Sequence, residues 1–233
     1  TGSYDHLASI STIEGKPQTQ ILKDHTDAIY GVAVSPDGTR IATVAGDRTL
    51  KVWDASTGKR LFTLSESTAE LYTVAFRPDG KQLCAGGADK TLRTWNLTPN
   101  GATLAKSAFA HQGAILQARY TPDGKSIVTC GADNAVKRWE MASLAEEHVY
   151  KSSNEVPHSL AIDPKGTQIA VGRHDGTCTL CSLNPVPMRI SQEPNKDAKV
   201  AWVKRNRYCL PQQQQQTDRK STRLNSSHAN ISY

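Results

Sequence analysis

The sequence predicts an all-β chain assembled from one strand–turn–strand unit repeated every 42 to 44 residues. Three observations lead there. The clearest copy is 121–140, where the turn Pro122-Asp123-Gly124 enters an apolar run, Ser126-Ile127-Val128-Thr129-Cys130. A small-residue corner, Gly131-Ala132-Asp133, then leads to a second alternating run ending on Trp139. Such β-branched and aromatic runs bounded by turn formers are strands. The turn also recurs, as Pro36-Asp37-Gly38, Pro78-Asp79-Gly80 and Pro164-Lys165-Gly166, at spacings of 42, 44 and 42 residues. Finally, the corner acids Asp47, Asp89, Asp133 and Asp175 keep those spacings, as do Trp53, Trp95 and Trp139, with Cys181 at the fourth tryptophan position. A fixed period of this length marks a repeat array.

Taken in order, residues 1–24 are the end of one unit. Gly2-Ser3-Tyr4-Asp5 is its corner, and 7–12 and 19–22 are its last two strands, so the natural chain is expected to begin before Thr1. Four near-complete units follow at 25–66, 67–110, 111–152 and 153–194. The strand preceding each turn covers 29–35, 71–77, 115–121 and 157–163. Second strands are expected at 40–44, 82–86, 126–130 and 168–172, and third strands end at Trp53, Trp95, Trp139 and Cys181. Weaker fourth strands fall at 60–64, 102–107, 147–151 and 187–190. Residues 195–211 resemble the start of a further unit, because Val200-Ala201-Trp202 parallels Val74-Ala75-Phe76, although the turn motif is missing. No amphipathic helix of useful length competes with this pattern.

These residues resemble the WD40 repeats of β-propellers over about 2–190. Repeat 25–66 carries the likeness best, through Asp24-His25, Val32-Ala33-Val34-Ser35-Pro36-Asp37-Gly38 and Asp47-Arg48-Thr49-Leu50-Lys51-Val52-Trp53-Asp54. The other units end in Trp95-Asn96, Trp139-Glu140 and Cys181-Ser182, and Ser67 and Ser153 replace the histidines His25 and His111. The resemblance implies four-stranded antiparallel blades around a channel. It implies an incomplete, open arc of about four to five blades. An alternative joins 1–22 to 195–210 as one blade and closes a five-bladed ring.

The net charge of +6 is concentrated at one end. Residues 204–233 carry Lys204, Arg205, Arg207, Arg219, Lys220 and Arg223 against Asp218, which leaves +1 for the body. The basic balance therefore gives little support for nucleic-acid binding. The segment 212–233 reads as a disordered tail that opens with a glutamine run, Gln212 to Gln216. From Asp218 to His228 it resembles a translated sequencing-library adapter, with Ala229-Asn230 as an index and Ile231-Ser232-Tyr233 as the downstream adapter. Residues 218–233 are set aside as artefactual. No run of about 18 apolar residues suggests a membrane span. The five cysteines are scattered at strand positions without a disulfide framework, which leans towards a reducing, cytoplasmic compartment.

Two constellations could carry chemistry: His25, Thr43, Asp47 and Trp53, and His111, Thr129, Asp133 and Trp139. Histidine, acid and hydroxyl suggest a hydrolase triad. The resemblance implies instead a hydrogen-bonded chain that staples each blade, and repetition fits that role, since an enzyme needs one site. Asp89 with Trp95, and Asp175 alone, are partial versions, so the fourth unit is expected to be the least stable. Cys178 and Cys181 have metal-site spacing, but residues three apart on a strand face opposite ways. The expectation is no catalytic residue, no metal and no cofactor.

In WD40 propellers partners often dock on the rim where first strands begin and corners lie. The matching positions are Tyr30, Tyr72, Leu116 and His158, with Tyr4 and His174 just before corner acids. The plain alternative is that Tyr30 and Tyr72 pack between blades. The functional expectation is a non-catalytic scaffold for protein partners, a fragment of a longer protein, without nucleic-acid or membrane binding. The alternative is the accessory propeller of a larger enzyme or sensor.

Overall fold

The computed structural model describes residues 1–11, 19–150 and 154–184. Among these, the regular structure is entirely antiparallel strand. Strands β1 (Leu7–Ser11) and β2 (Thr19–Lys23) form a two-stranded sheet. The first four-stranded blade is β3 (Ile29–Val34), β4 (Arg40–Ala45), β5 (Leu50–Asp54) and β6 (Arg60–Leu64). The second is β7 (Leu71–Phe76), β8 (Gln82–Gly87), β9 (Thr91–Thr98) and β10 (Gly101–Phe109). The third is β11 (Ile115–Tyr120), β12 (Ser126–Gly131), β13 (Val136–Glu140) and β14 (Glu146–Tyr150). Strands β15 (Pro157–Ile162), β16 (Gln168–Arg173) and β17 (Cys178–Ser182) form a three-stranded sheet. The fourth strand expected at 187–190, the further unit at 195–211, the tail at 212–233 and Ser153 lie outside the described residues.

Each first-to-second hairpin turns on the same chemistry. Gly38 donates its N–H to the Ser35 carbonyl at 2.9 Å, and Gly80, Gly124 and Gly166 repeat that bond. All four have φ between 65° and 70°, the left-handed region that glycine enters without the steric cost a Cβ adds. In the first three blades the second strands are buried on both faces, which explains why they read as largely apolar runs.

Blades stack in sequence order, with β3 beside β7, β7 beside β11 and β11 beside β15. Alternation assigns each residue to a seam. Val44, Leu50 and Val52 face forward onto Leu71, Val74 and Phe76 of the next blade. Ile41 and Trp53 face backward onto Ala8 and Leu22. By the same rule Trp95 packs on the first blade, Trp139 on the second and Cys181 on the third.

One hairpin departs from the expected strand bounds. Strand β9 runs past Trp95 to Thr98, and β10 is correspondingly long. In the first blade the Asp54 carboxylate accepts from the Ser56 and Thr57 amides at 3.0 and 2.7 Å, and this turn ends the strand. Glu140 does the same for Ser143 at 2.8 Å. Asn96 stands at that place in the second blade and bonds Gln82 across the sheet at 2.6 Å, so the ladder continues.

Candidate functional site

Every corner acid caps its own turn. Asp5, Asp47, Asp89, Asp133 and Asp175 each accept the amide of the residue two further on, at 2.9–3.2 Å. The intervening residue adopts positive φ, as in Arg48, Lys90 and Asn134. In the first and third blades the acid also reaches inward. Trp53 Nε1–H donates to Thr43 Oγ1 at 2.8 Å, Thr43 bonds His25 Nε2 at 2.7 Å, and His25 Nδ1 bonds Asp47 at 2.8 Å. Trp139, Thr129, His111 and Asp133 repeat the chain at 2.8, 2.7 and 2.8 Å.

The direction of this chain sets the protonation state. Tryptophan is donor only, so the threonine oxygen accepts from it and donates its own proton to Nε2. Nε2 must then be unprotonated, and Nδ1–H points at the carboxylate. Burial holds both imidazoles below the usual histidine range, outweighing the neighbouring acid. Burial alone would raise the carboxyls. The Thr49 hydroxyl and His25 keep Asp47 below its usual value, and His111 and the Gln112 amide do so for Asp133.

The signs of these shifts agree. A depressed histidine contributes stability above its ordinary value of 6.5 and loses it as pH falls towards the folded value. A depressed carboxyl contributes above 3.8 and loses it below. His148, also depressed chiefly by burial, acts in the same direction. The melting temperature is therefore expected to fall on acidification from below pH 6.5, and again below 3.8. In a His25→Gln/His111→Gln variant the first fall should shrink. A melting temperature that rises between neutral and mildly acidic pH contradicts the assignment.

The second blade solves the same corner differently. With Ser67 and Ala85 in place of histidine and threonine, Asp89 accepts from Ser67 at 2.9 Å and pairs with Arg93 at 2.6 Å. Trp95 Nε1 has no hydrogen-bond partner. Sequence reasoning missed Arg93 and its equivalents. Lys51 reaches the Asp24 carbonyl at 2.8 Å, and Lys137 reaches the Ala110 carbonyl at 3.0 Å. The available signal was a long cation two residues before each tryptophan, in step with the repeat. In the last sheet Asp175 is exposed and bonds Thr177.

As catalytic groups the histidines are badly placed. Both ring nitrogens of each are engaged, and their side chains are 0% exposed. Cys178 is exposed and Cys181 buried, which separates the two thiols across the strand. A groove of about 590 Å³ lies at the turn end between the second and third blades. Lys106, Lys125, Glu140 and Glu147 line it with mixed charge.

The rim carries a different feature. Tyr30, Tyr72, Leu116 and His158 all sit where the ladder slips by one residue, in a β-bulge at the start of β3, β7, β11 and β15. A bulge re-aims the side chain it contains. Tyr4, Tyr30 and Tyr72 run in series across three sheets, with centroids 5.7 and 5.2 Å apart. His158 and His174 are both exposed and lie 5.5 Å apart. Leu116 is half-buried against the seam formed with β15 and β16 and belongs partly to the core.

The model for the WD domain, G-beta repeat, matches residues 16–54, 58–96 and 102–140. Each match begins at or just before the last strand of one sheet and ends at the third strand of the next, so its phase is offset by one strand from the blades. An uncharacterized WD repeat-containing protein of Synechocystis, sll1491, is 34% identical over 64 residues, 27% of this chain and 18% of that protein. Protein Mut11 of Chlamydomonas reinhardtii is 47% identical over 45 residues, covering 19% and 12%. The serine-threonine kinase receptor-associated protein of Bos taurus is 46% identical over 41 residues, covering 18% and 12%. The matched stretches thus span less than a fifth of these relatives. No helix among the described residues is long and apolar enough to cross a membrane. With its repeat model matched over half the sequence and its blades packed in series, the chain belongs to the WD domain, G-beta repeat family.

Proposed function

We propose that this chain is a non-catalytic scaffold that holds partner proteins against its rim, while the corner chains serve architecture. The observation that carries this reading is the set of aromatic and imidazole side chains gathered on the rim, where bulges carry Tyr30, Tyr72 and His158 and the adjoining corners carry Tyr4 and His174. Aromatic side chains presented on a rigid surface at low entropic cost are the usual anchors of protein interfaces. Loops between the strands vary without disturbing the seams, so the surface is free to specialise. His25, Thr43, Asp47 and Trp53, and their counterparts in the third blade, are spent on one another and tie the incoming loop to the corner. One relative is named a serine-threonine kinase receptor-associated protein, which describes association with another protein in that case.

The test is crosslinked capture from cells with three forms of the chain. These are the unsubstituted chain, a rim variant Tyr30→Ser/Tyr72→Ser/His158→Ser, and a turn-end variant Lys106→Ser/Lys125→Ser. The rim variant should lose specific partners that the turn-end variant keeps, with all three melting alike. Loss confined to the turn-end variant overturns the assignment.

A further inference from the structure

Three tyrosines and two carboxylates meet on the rim of the first three sheets. Tyr4 is 78% exposed and Tyr30 40% exposed. The Tyr4 and Tyr30 planes lie at 88°, and those of Tyr30 and Tyr72 at 86°, so successive ring faces point at right angles to each other. The Tyr72 hydroxyl donates to the Glu70 carboxylate at 2.7 Å. Asp27 lies beside the corner glycine Gly46, with its carboxyl carbon 2.8 Å from where a Cβ would stand. A larger residue at Gly46 would displace that carboxylate.

The electrostatics of the patch are one-sided. Aromatic faces carry negative quadrupole density and attract cations within about 6 Å. Among the described residues, no lysine or arginine lies within ion-pair distance of Asp27 or Glu70. The carboxylates act on the same surface as the rings. Lost hydration first, then Tyr4, Glu70 and Asp27, raises the Tyr30 hydroxyl, and Glu70 pushes Tyr72 up to about 12. An anion is repelled here, and a neutral group gains stacking alone. A guanidinium satisfies both halves of the patch, because its plane stacks on a ring while its N–H fork reaches a carboxylate.

We infer that Tyr4, Tyr30 and Tyr72, with Asp27 and Glu70, receive an arginine side chain of a partner protein. This rests on the rim reading above and adds the chemistry of the partner to it.

The probe is the capped peptide acetyl-Gly-Arg-Gly-Arg-Gly-amide, titrated into the full chain and followed by calorimetry and tyrosine-ring NMR shifts. Its citrulline counterpart has the same shape without charge. The arginine peptide should bind saturably and move the Tyr30 and Tyr72 signals. Citrulline, Tyr30→Ala and the double variant Asp27→Asn/Glu70→Gln should each weaken binding by about tenfold. The double variant keeps side-chain size and hydrogen bonding, so it reports charge rather than folding. Equal binding of the two peptides, unchanged affinity in both variants, or no saturable binding to the folded protein overturns the inference. Crosslinked capture separates this failure from a deeper one. If Asp27→Asn/Glu70→Gln captures partners normally while the triple rim variant does not, the rim reading stands and arginine recognition falls. If the triple variant also captures normally, the rim reading itself falls.

Discussion

Trp139→Ala is expected to cost about 3–5 kcal/mol of stability, the range for deleting a buried large aromatic side chain. The ring is 4% exposed at the seam between the second and third blades, packed with Ala75, Cys84 and Leu92 behind it and Ile115 and Ile127 beside it. Both sides of that seam are continuous sheet, so neither can collapse into the space. The loss also strips a donor from Thr129, whose oxygen accepts the indole N–H at 2.8 Å. In a repeat array stability is close to a sum of unit and nearest-neighbour terms, and a seam residue touches two units at once. Cys181 holds the equivalent place one unit later and is buried to the same degree. It fills far less volume, so Cys181→Ala should cost clearly less. Urea melts of the two variants check this, and equal losses would contradict the seam assignment.

Thr129→Val should cost about 2–6 kcal/mol, although it changes side-chain volume very little. The hydroxyl serves two buried partners, Trp139 Nε1 and His111 Nε2, and each is left unsatisfied at a penalty of about 1–3 kcal/mol. Thr129→Ser provides the contrast. It keeps the hydroxyl and removes one methyl group, a loss of about 1 kcal/mol. If the hydrogen-bonded chain matters, valine is the worse substitution. If Thr129 acts only by filling space, serine is, and the order of the two melts decides between them. The second blade shows that a blade without the hydroxyl is tolerated, since Ala85 stands there and Trp95 Nε1 is unpartnered. Its corner is held by the Arg93–Asp89 pair instead.

Much of the backbone was legible before any coordinates. The turns at Gly38, Gly80, Gly124 and Gly166 were readable because only glycine sits easily in the left-handed region, and that need repeats with the fold. Strand bounds came within a residue or two except at β9 and β10, where a single change, Asn96 for an acid, removed the turn that stops the strand. The cations Lys51, Arg93 and Lys137 escaped notice because composition favours lysine and arginine at the surface. The burial of Lys51 and Arg93, and the half-burial of Lys137, became visible once the blades were assembled around them. The bulges at Tyr30, Tyr72, Leu116 and His158 left no trace in the alternation, since one slipped residue looks the same as an ordinary strand start.

The amino-acid sequence alone determined the unit, its period, the turn positions and the strand order within each unit. These depend on local sterics and on side-chain alternation, which are written along the chain. Tertiary structure decided which side chains share a surface. Tyr4, Tyr30 and Tyr72 are separated by 26 and 42 residues, and stacking the sheets brings their rings within 6 Å. It also split the rim positions by role, leaving His158 exposed beside His174 while drawing Leu116 towards the core. Blade stacking sets those distances, and it follows from the seams as a whole rather than from any one segment.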